Sequence, residues 1–120
     1  GDNGGTTGKT KKPTNKAPIF TNVNTKSVNE NQKSAIKLEA SDGNNDTLTY
    51  SISGDEAKYF DINSSSGLVE FKIAPDYEAK RLYKFNATVS DGEKSATIEM
   101  TININDLDDT KQGQLIDSAI

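Results

Sequence analysis

An all-β fold, a Greek-key sandwich of seven short strands, is what this sequence of 120 residues predicts. Three observations carry the prediction. Apolar and polar residues alternate with a period of two from Pro18 onward, turn-forming clusters interrupt that alternation, and no stretch has the spacing of a long amphipathic helix. Alternation of this kind marks strands with one face on a core and the other in water.

The elements follow in order. Residues 1–17 (GDNGGTTGKTKKPTNKA) are rich in Gly, Thr, Lys and Asn and carry no hydrophobic period, so they read as a flexible tether. The first strand ends at Val28-Asn29-Glu30-Asn31. In the second, Ile36, Leu38 and Ala40 alternate with Lys37 and Glu39. After the turn Asp42-Gly43-Asn44-Asn45-Asp46, Leu48, Tyr50 and Ile52 alternate with Thr49 and Ser51. Gly54-Asp55-Glu56-Ala57-Lys58 is sized for one helical turn before Tyr59 and Phe60. Ser64-Ser65-Ser66-Gly67 turns the chain into Val69 and Phe71, which flank Glu70. Tyr83, Phe85, Ala87 and Val89 alternate with Lys84, Asn86 and Thr88. Past Asp91-Gly92-Glu93, the series Ala96, Ile98, Met100, Ile102, Ile104 forms the last strand.

Composition narrows the chemistry. Cysteine is absent, so there is no disulfide framework and no thiol chemistry. Histidine is absent as well, which removes the commonest general base and the commonest transition-metal ligand. The net charge of −4 is unevenly spread: residues 1–16 hold four Lys against one Asp, and the remainder holds ten basic against seventeen acidic residues. The folded part is therefore acidic and predicted to repel nucleic acid. No apolar run approaches the roughly 18 residues that span a bilayer, so direct membrane insertion is not expected. With no initiator Met and no signal peptide, the chain reads as a segment of a longer protein, and a monomer on its own.

The acidic residues are where the pattern becomes specific. Glu30-Asn31, Asp42-Gly43-Asn44, Asp76-Tyr77-Glu78, Asp91-Gly92 and Asp106-Leu107-Asp108-Asp109 all stand at or near strand ends, and none has a His or Cys beside it. Oxygen-only donors suit a hard cation, above all calcium, and suit neither zinc nor nucleophilic catalysis. Asp76 and Glu78, two residues apart in an extended segment, project to one side about 6–7 Å apart and repel unless a cation sits between them. Lys80 and Arg81 are the alternative partners for that pair. One pole of a sandwich can gather Glu30, Asp76, Glu78, Asp106 and Asp109, enough oxygens for calcium's six to eight ligands at roughly 2.3–2.6 Å.

Read together, these motifs resemble the cadherin repeat, and more closely its bacterial forms, over Pro18 to Asp109. Ala17-Pro18-Ile19-Phe20 is similar to the opening of such a repeat and Val28-Asn29-Glu30-Asn31 to its first-strand Glu motif. Ala40-Ser41-Asp42-Gly43-Asn44 with Leu48-Thr49-Tyr50-Ser51-Ile52 resembles the family's Asp-x-Asp loop and following strand. Phe60-Asp61-Ile62 and Ser66-Gly67-Leu68-Val69 resemble its middle strands. Asp76-Tyr77-Glu78 stands where the family has Asp-Arg-Glu, Val89-Ser90-Asp91-Gly92 where it has Ala-x-Asp-x-Gly, and Asp106-Leu107-Asp108-Asp109 in place of its Asp-x-Asn-Asp-Asn linker. The resemblance implies a cadherin/immunoglobulin-like sandwich at 18–109, with 110–120 as linker and start of a following module. It implies calcium between consecutive repeats, held at the trailing junction by Glu30, Asp76, Glu78, Asp106 and Asp109 with the Leu107 carbonyl. Asp42, Asn44 and Asp91 would face a preceding repeat. The segment before Ala17 is basic (Lys11, Lys12, Lys16) and offers no linker carboxylates, so that leading pole is expected to be weak or empty, with Asp42 and Asp91 acting as turn residues. Thr110 replaces the linker's last Asn.

The implied role is a cell-surface or secreted adhesion and spacer module, weakly calcium-binding as a fragment. Its partners would be neighbouring domains of the same chain, other cadherin-like modules or surface glycans. A basic tether suits the start of an outer-membrane lipoprotein. Two rivals remain. A metal-free immunoglobulin-like spacer or carbohydrate-binding sandwich shares the strand pattern. A carboxylate glycosidase would need aromatic residues lining a cleft, but Trp is absent and the Tyr and Phe residues fall mostly on core-facing positions, so no enzyme is expected. Asn45, Asn63 and Asn86 begin Asn-x-Ser/Thr triplets, a pattern that arises by chance in Asn-rich sequence.

Overall fold

Alternating residues build nine strand segments in the computed structural model, which describes residues 16–44 and 46–107. They are β1 (Ile19–Phe20), β2 (Thr25–Asn29), β3 (Ser34–Lys37), β4 (Ala40–Ser41), β5 (Thr49–Ser53), β6 (Phe60–Ile62), β7 (Leu68–Phe71), β8 (Leu82–Ser90) and β9 (Ser95–Asn105). The first two segments are halves of one predicted strand, as are β3 and β4, so the predicted seven are recovered. The one-turn helix is also present, as a 3₁₀ turn at Ala57–Tyr59. No helix among the described residues is long and apolar enough to cross a membrane.

The sheets run β2-β9-β8-β5 and β3-β7-β6, with β1 paired to β4. Inward residues of β8 (Tyr83, Phe85, Ala87, Val89) and β9 (Met100, Ile102, Ile104) are buried against Ala35, Ile36, Leu38, Phe60, Val69 and Phe71. The sheets are joined by an aromatic cluster: Phe60 lies 4.6 Å from Phe71 and 4.8 Å from Phe85, and Phe71 lies 5.1 Å edge-on to Tyr83. Strand β3 departs from strict alternation because its register against β7 shifts between Ser34 and Ile36. That bulge lets the consecutive Ala35 and Ile36 both face the core. Ala96 and Ile98, predicted as core, are only partly buried, on the part of β9 that precedes its pairing with β2.

Register decides which loops meet. Strands β2 and β9 are parallel with Asn29 opposite Asn105, so Glu30 and Asp106 leave the sheet side by side. The Glu30 N–H donates to the Asn105 carbonyl at 3.1 Å, and the Asn31 N–H to the Pro75 carbonyl at 2.9 Å, which brings residues 75–81 to the same end. At the other end Thr49, Ser90 and Ser95 are aligned, so the loop after β4 and the β8–β9 turn share the opposite pole.

Gly67 closes the β6–β7 hairpin with φ +82°, and a Cβ there would collide with the Leu38 carbonyl. Its own carbonyl accepts the Leu38 N–H at 2.8 Å. Gly67→Ala should therefore cost about 2 kcal/mol or more in denaturant unfolding. Gly43→Ala, where an added Cβ meets nothing within 4 Å, should change stability by less than about 0.5 kcal/mol. Equal stability of the two variants would contradict the packing described.

Candidate metal centre

Glu30 is the one charged residue buried among those described, at 3% exposure. Both its carboxyl oxygens are used. Oε1 accepts the Tyr77 N–H at 3.1 Å and Oε2 accepts the Leu107 N–H at 2.7 Å. Hydrogen bonds from backbone amides are what allow a carboxylate to sit at this depth. Asn31 follows with φ +70°, a left-handed conformation that Asn tolerates better than most residues and that turns the chain sharply after Glu30.

Around Glu30, the carboxylates of Glu78 and Asp106 come close enough that one oxygen from each lies within 4.8 Å of the others. Each carboxylate can reach a shared ion with lone pairs that the amide bonds leave free. Asp76 is adjacent but outside that set. Its carbonyl accepts the Ala79 and Lys80 N–H groups at 2.9 Å each, and its Oδ1 accepts the Glu78 N–H at 3.1 Å, closing the turn that carries Glu78. Leu107 contributes its N–H to Glu30, a role that spacing alone did not announce. Asp109 lies outside the described residues.

Neither basic alternative neutralises the cluster. Lys80 Nζ bonds Glu56 Oε2 at 2.5 Å, and the Arg81 guanidinium lies 4.6 Å from the Tyr77 ring centroid. The hydrogen bond with Asp76, some desolvation, and the negative charges of Glu30 and Asp106 together hold the Glu78 carboxyl above the ordinary glutamate range. Glu56 is the opposite case: its bonds to Lys80 and the Lys84 N–H lower it. Lys80 is raised, chiefly by the same bond to Glu56.

At the opposite pole a second set gathers. Carboxylate oxygens of Asp42, Asp46 and Asp91 lie within 4.8 Å of one another. Asp42 and Asp91 do serve their turns: Asp42 Oδ2 accepts the Asp46 N–H at 2.6 Å, and Asp91 Oδ1 accepts the Glu93 and Lys94 N–H groups at 2.8 and 2.7 Å. Asp42 Oδ1 remains buried without a hydrogen-bond partner among the described residues. Asn44 is turned to the incoming chain, its Oδ1 accepting the Lys16 N–H at 3.1 Å. Asp46 is the residue sequence reasoning missed. The signal was its place four residues after Asp42, at the far side of the same turn.

The Cadherin domain pattern matches residues 24–105. Mouse Cadherin-related family member 2 is 39% identical over 75 residues, covering 62% of this chain and 6% of that protein. Human Protocadherin-15 is 33% identical over 70 residues, covering 58% and 4%. The chain thus spans a small fraction of the length of these relatives. In shape it resembles human Protocadherin-24 EC1-2, with a TM-score of 0.70 and 33% identity over 76% of this chain and 44% of that one. Drosophila N-cadherin EC1-4 superposes with a TM-score of 0.67 at 25% identity, over 79% and 26% of the two chains.

A raised carboxyl disfavours the folded state while charged, so Glu78 costs stability above its folded midpoint, and that cost is relieved as pH falls through it toward the ordinary glutamate value. Glu56 runs the other way, its contribution being lost as pH falls through its lowered midpoint. Carboxyl-detected NMR titration in a calcium chelator should find Glu78 titrating above a glutamate in an unstructured peptide, and Asp76→Asn should move it down. An unmoved midpoint would show that the neighbouring acids do not act on it.

Proposed function

The chain belongs to the Cadherin domain family, and we propose that it is an extracellular adhesion and spacer module whose acidic poles take calcium at joints with neighbouring domains. Cadherin domains generally bind calcium, and they are adhesion modules rather than enzymes. The observation that carries the reading here is the convergence of Glu30, Glu78 and Asp106 within 4.8 Å. An all-oxygen donor set of high negative charge fits a hard divalent cation.

In this reading the module extends from Pro18 to Asp109. Glu30, Asp76, Glu78, Asp106 and Asp109 with the Leu107 carbonyl hold calcium at the trailing pole. In that reading calcium supplies charge that neither Lys80 nor Arg81 brings there. The chain's own part is positional. Glu30 fixes the start of the exit segment through the Leu107 N–H, so an ion held at this pole also restrains the chain leaving it. The solved cadherin chain above is more than twice the length of the region matched, which supports a module working in series with others. Partners are then adjacent domains of the same chain and other cadherin-like modules at a cell surface.

Asp42, Asp46 and Asp91 form the second site in this reading, supported by the buried, unbonded Asp42 Oδ1. It draws on three carboxylates where the trailing pole in this reading draws on five, and Asn44 is engaged by Lys16, so it is the weaker of the two.

Thermal melting against calcium concentration tests the proposal. A site with Kd of about 0.1 mM would stabilise the fold by about 1.8 kcal/mol in about 2 mM calcium, and this single module should gain less than that. Glu78→Gln should raise the melting temperature in chelator, because it removes repulsion, while abolishing most of the calcium increment. Asp46→Asn should remove only the weaker, second phase of the response. No calcium increment, in this chain or in one extended through a following module, would leave a metal-free spacer.

A further inference from the structure

The turn of residues 76–80 is internally closed, since the Asp76 carbonyl and carboxylate take the N–H groups of Glu78, Ala79 and Lys80. These bonds place the Glu78 carboxylate within the turn, so its position and the order of the turn both depend on how the turn is held. One hold is on the ion side, where the Tyr77 N–H meets Glu30. The Asn31 N–H also donates to the Pro75 carbonyl and the Ile104 N–H to the Arg81 carbonyl, at 2.9 Å each, so the base of the turn is fixed and Glu78 to Lys80 lie beyond these bonds.

The second hold is made by the Lys80 side chain. Lys80, at the end of the turn, bonds Glu56 at 2.5 Å, and its Nζ sits 5.2 Å from the centroid of the buried Tyr83 ring. Glu56 is itself anchored, because its other oxygen accepts the Lys84 N–H at 2.7 Å on strand β8. It is presented by the segment after Gly54, where the Ala57 N–H closes on the Gly54 carbonyl at 3.1 Å. Both side chains are only about one-third exposed, at 35% and 28%. An exposed ion pair adds little stability. A pair seated on an aromatic ring and tied to a central strand instead fixes geometry.

We propose that Glu56 and Lys80 are positioning residues for the trailing calcium site, a latch that sets the rotation of the 76–80 turn and with it the Glu78 carboxylate. The inference rests on the calcium reading above. It makes a prediction opposite in sign to simple electrostatics. Removing the Lys80 charge beside an acidic cluster should tighten cation binding by Coulomb attraction alone. Loss of the latch should weaken it, by about 10-fold if the pair acts as other outer partners of metal ligands do.

The test is calorimetric calcium titration of the whole chain, comparing the parent, Lys80→Met and Glu56→Gln. Met keeps an apolar stem over Tyr83. Hydrogen exchange of the Ala79, Lys80 and Lys84 amides in chelator is measured alongside, with the Val69 amide reporting the integrity of the core. The expected result is weaker binding in both variants, faster exchange at 79, 80 and 84, and unchanged protection at Val69. Equal or tighter binding by Lys80→Met overturns the latch, as does unchanged exchange in the turn. If the parent binds no calcium, the calcium reading fails, and faster exchange at these amides would still support the latch as the turn's second hold.

Discussion

Everything at the trailing pole depends on one buried carboxylate taking two backbone amides. Glu30 bonds the N–H groups of Tyr77 and Leu107, 47 and 77 residues further along the chain. Three segments that the strands merely deliver to one end are thereby fixed against each other. The parallel pairing of β2 with β9 puts Glu30 beside Asp106, and the bond to Tyr77 adds the turn that carries Glu78. Leaving such a carboxylate buried without its amides would cost several kcal/mol, so fold and site cannot be separated here.

The two poles solve the same electrostatic problem differently. At the trailing end, carboxylates come from three distant segments, and the acids left facing one another are mutually repulsive in the metal-free chain. At the leading end, Asp42 and Asp91 spend part of their hydrogen-bonding capacity on their own turns, and Asp46 is carried round by the first of those turns. Small domains without disulfides bury little surface in proportion to their size. In the proposed reading, a charge cluster that is costly when empty and stabilising when filled makes rigidity conditional on the ion.

Much of this was legible in the sequence. The period of two marks the strands that carry Tyr83 to Val89 and Met100 to Ile104, and the placement of acids at strand ends singles out Glu30, Glu78 and Asp106 among others. What stayed hidden has a common cause, namely dependence on contacts distant in the chain. The β3 bulge that buries Ala35 beside Ile36 is set by the register of β7. Asp46 looked like an ordinary turn residue because only folding brings Asp91 to it. Lys80 looked like a counter-ion for Asp76 and Glu78, since Glu56, its actual partner, lies in another loop. The part Leu107 plays as amide donor to Glu30 depends on the end of β9 lying against β2.

The most direct measurement is a crystal structure grown in calcium, with anomalous scattering used to locate the ion, on a chain extended through the next module. The account predicts an ion at the trailing pole within about 2.3–2.6 Å of oxygens from Glu30, Glu78 and Asp106, with the Tyr77 and Leu107 amides still on Glu30. No anomalous peak at that pole, with those three carboxylates pointing apart, would contradict it.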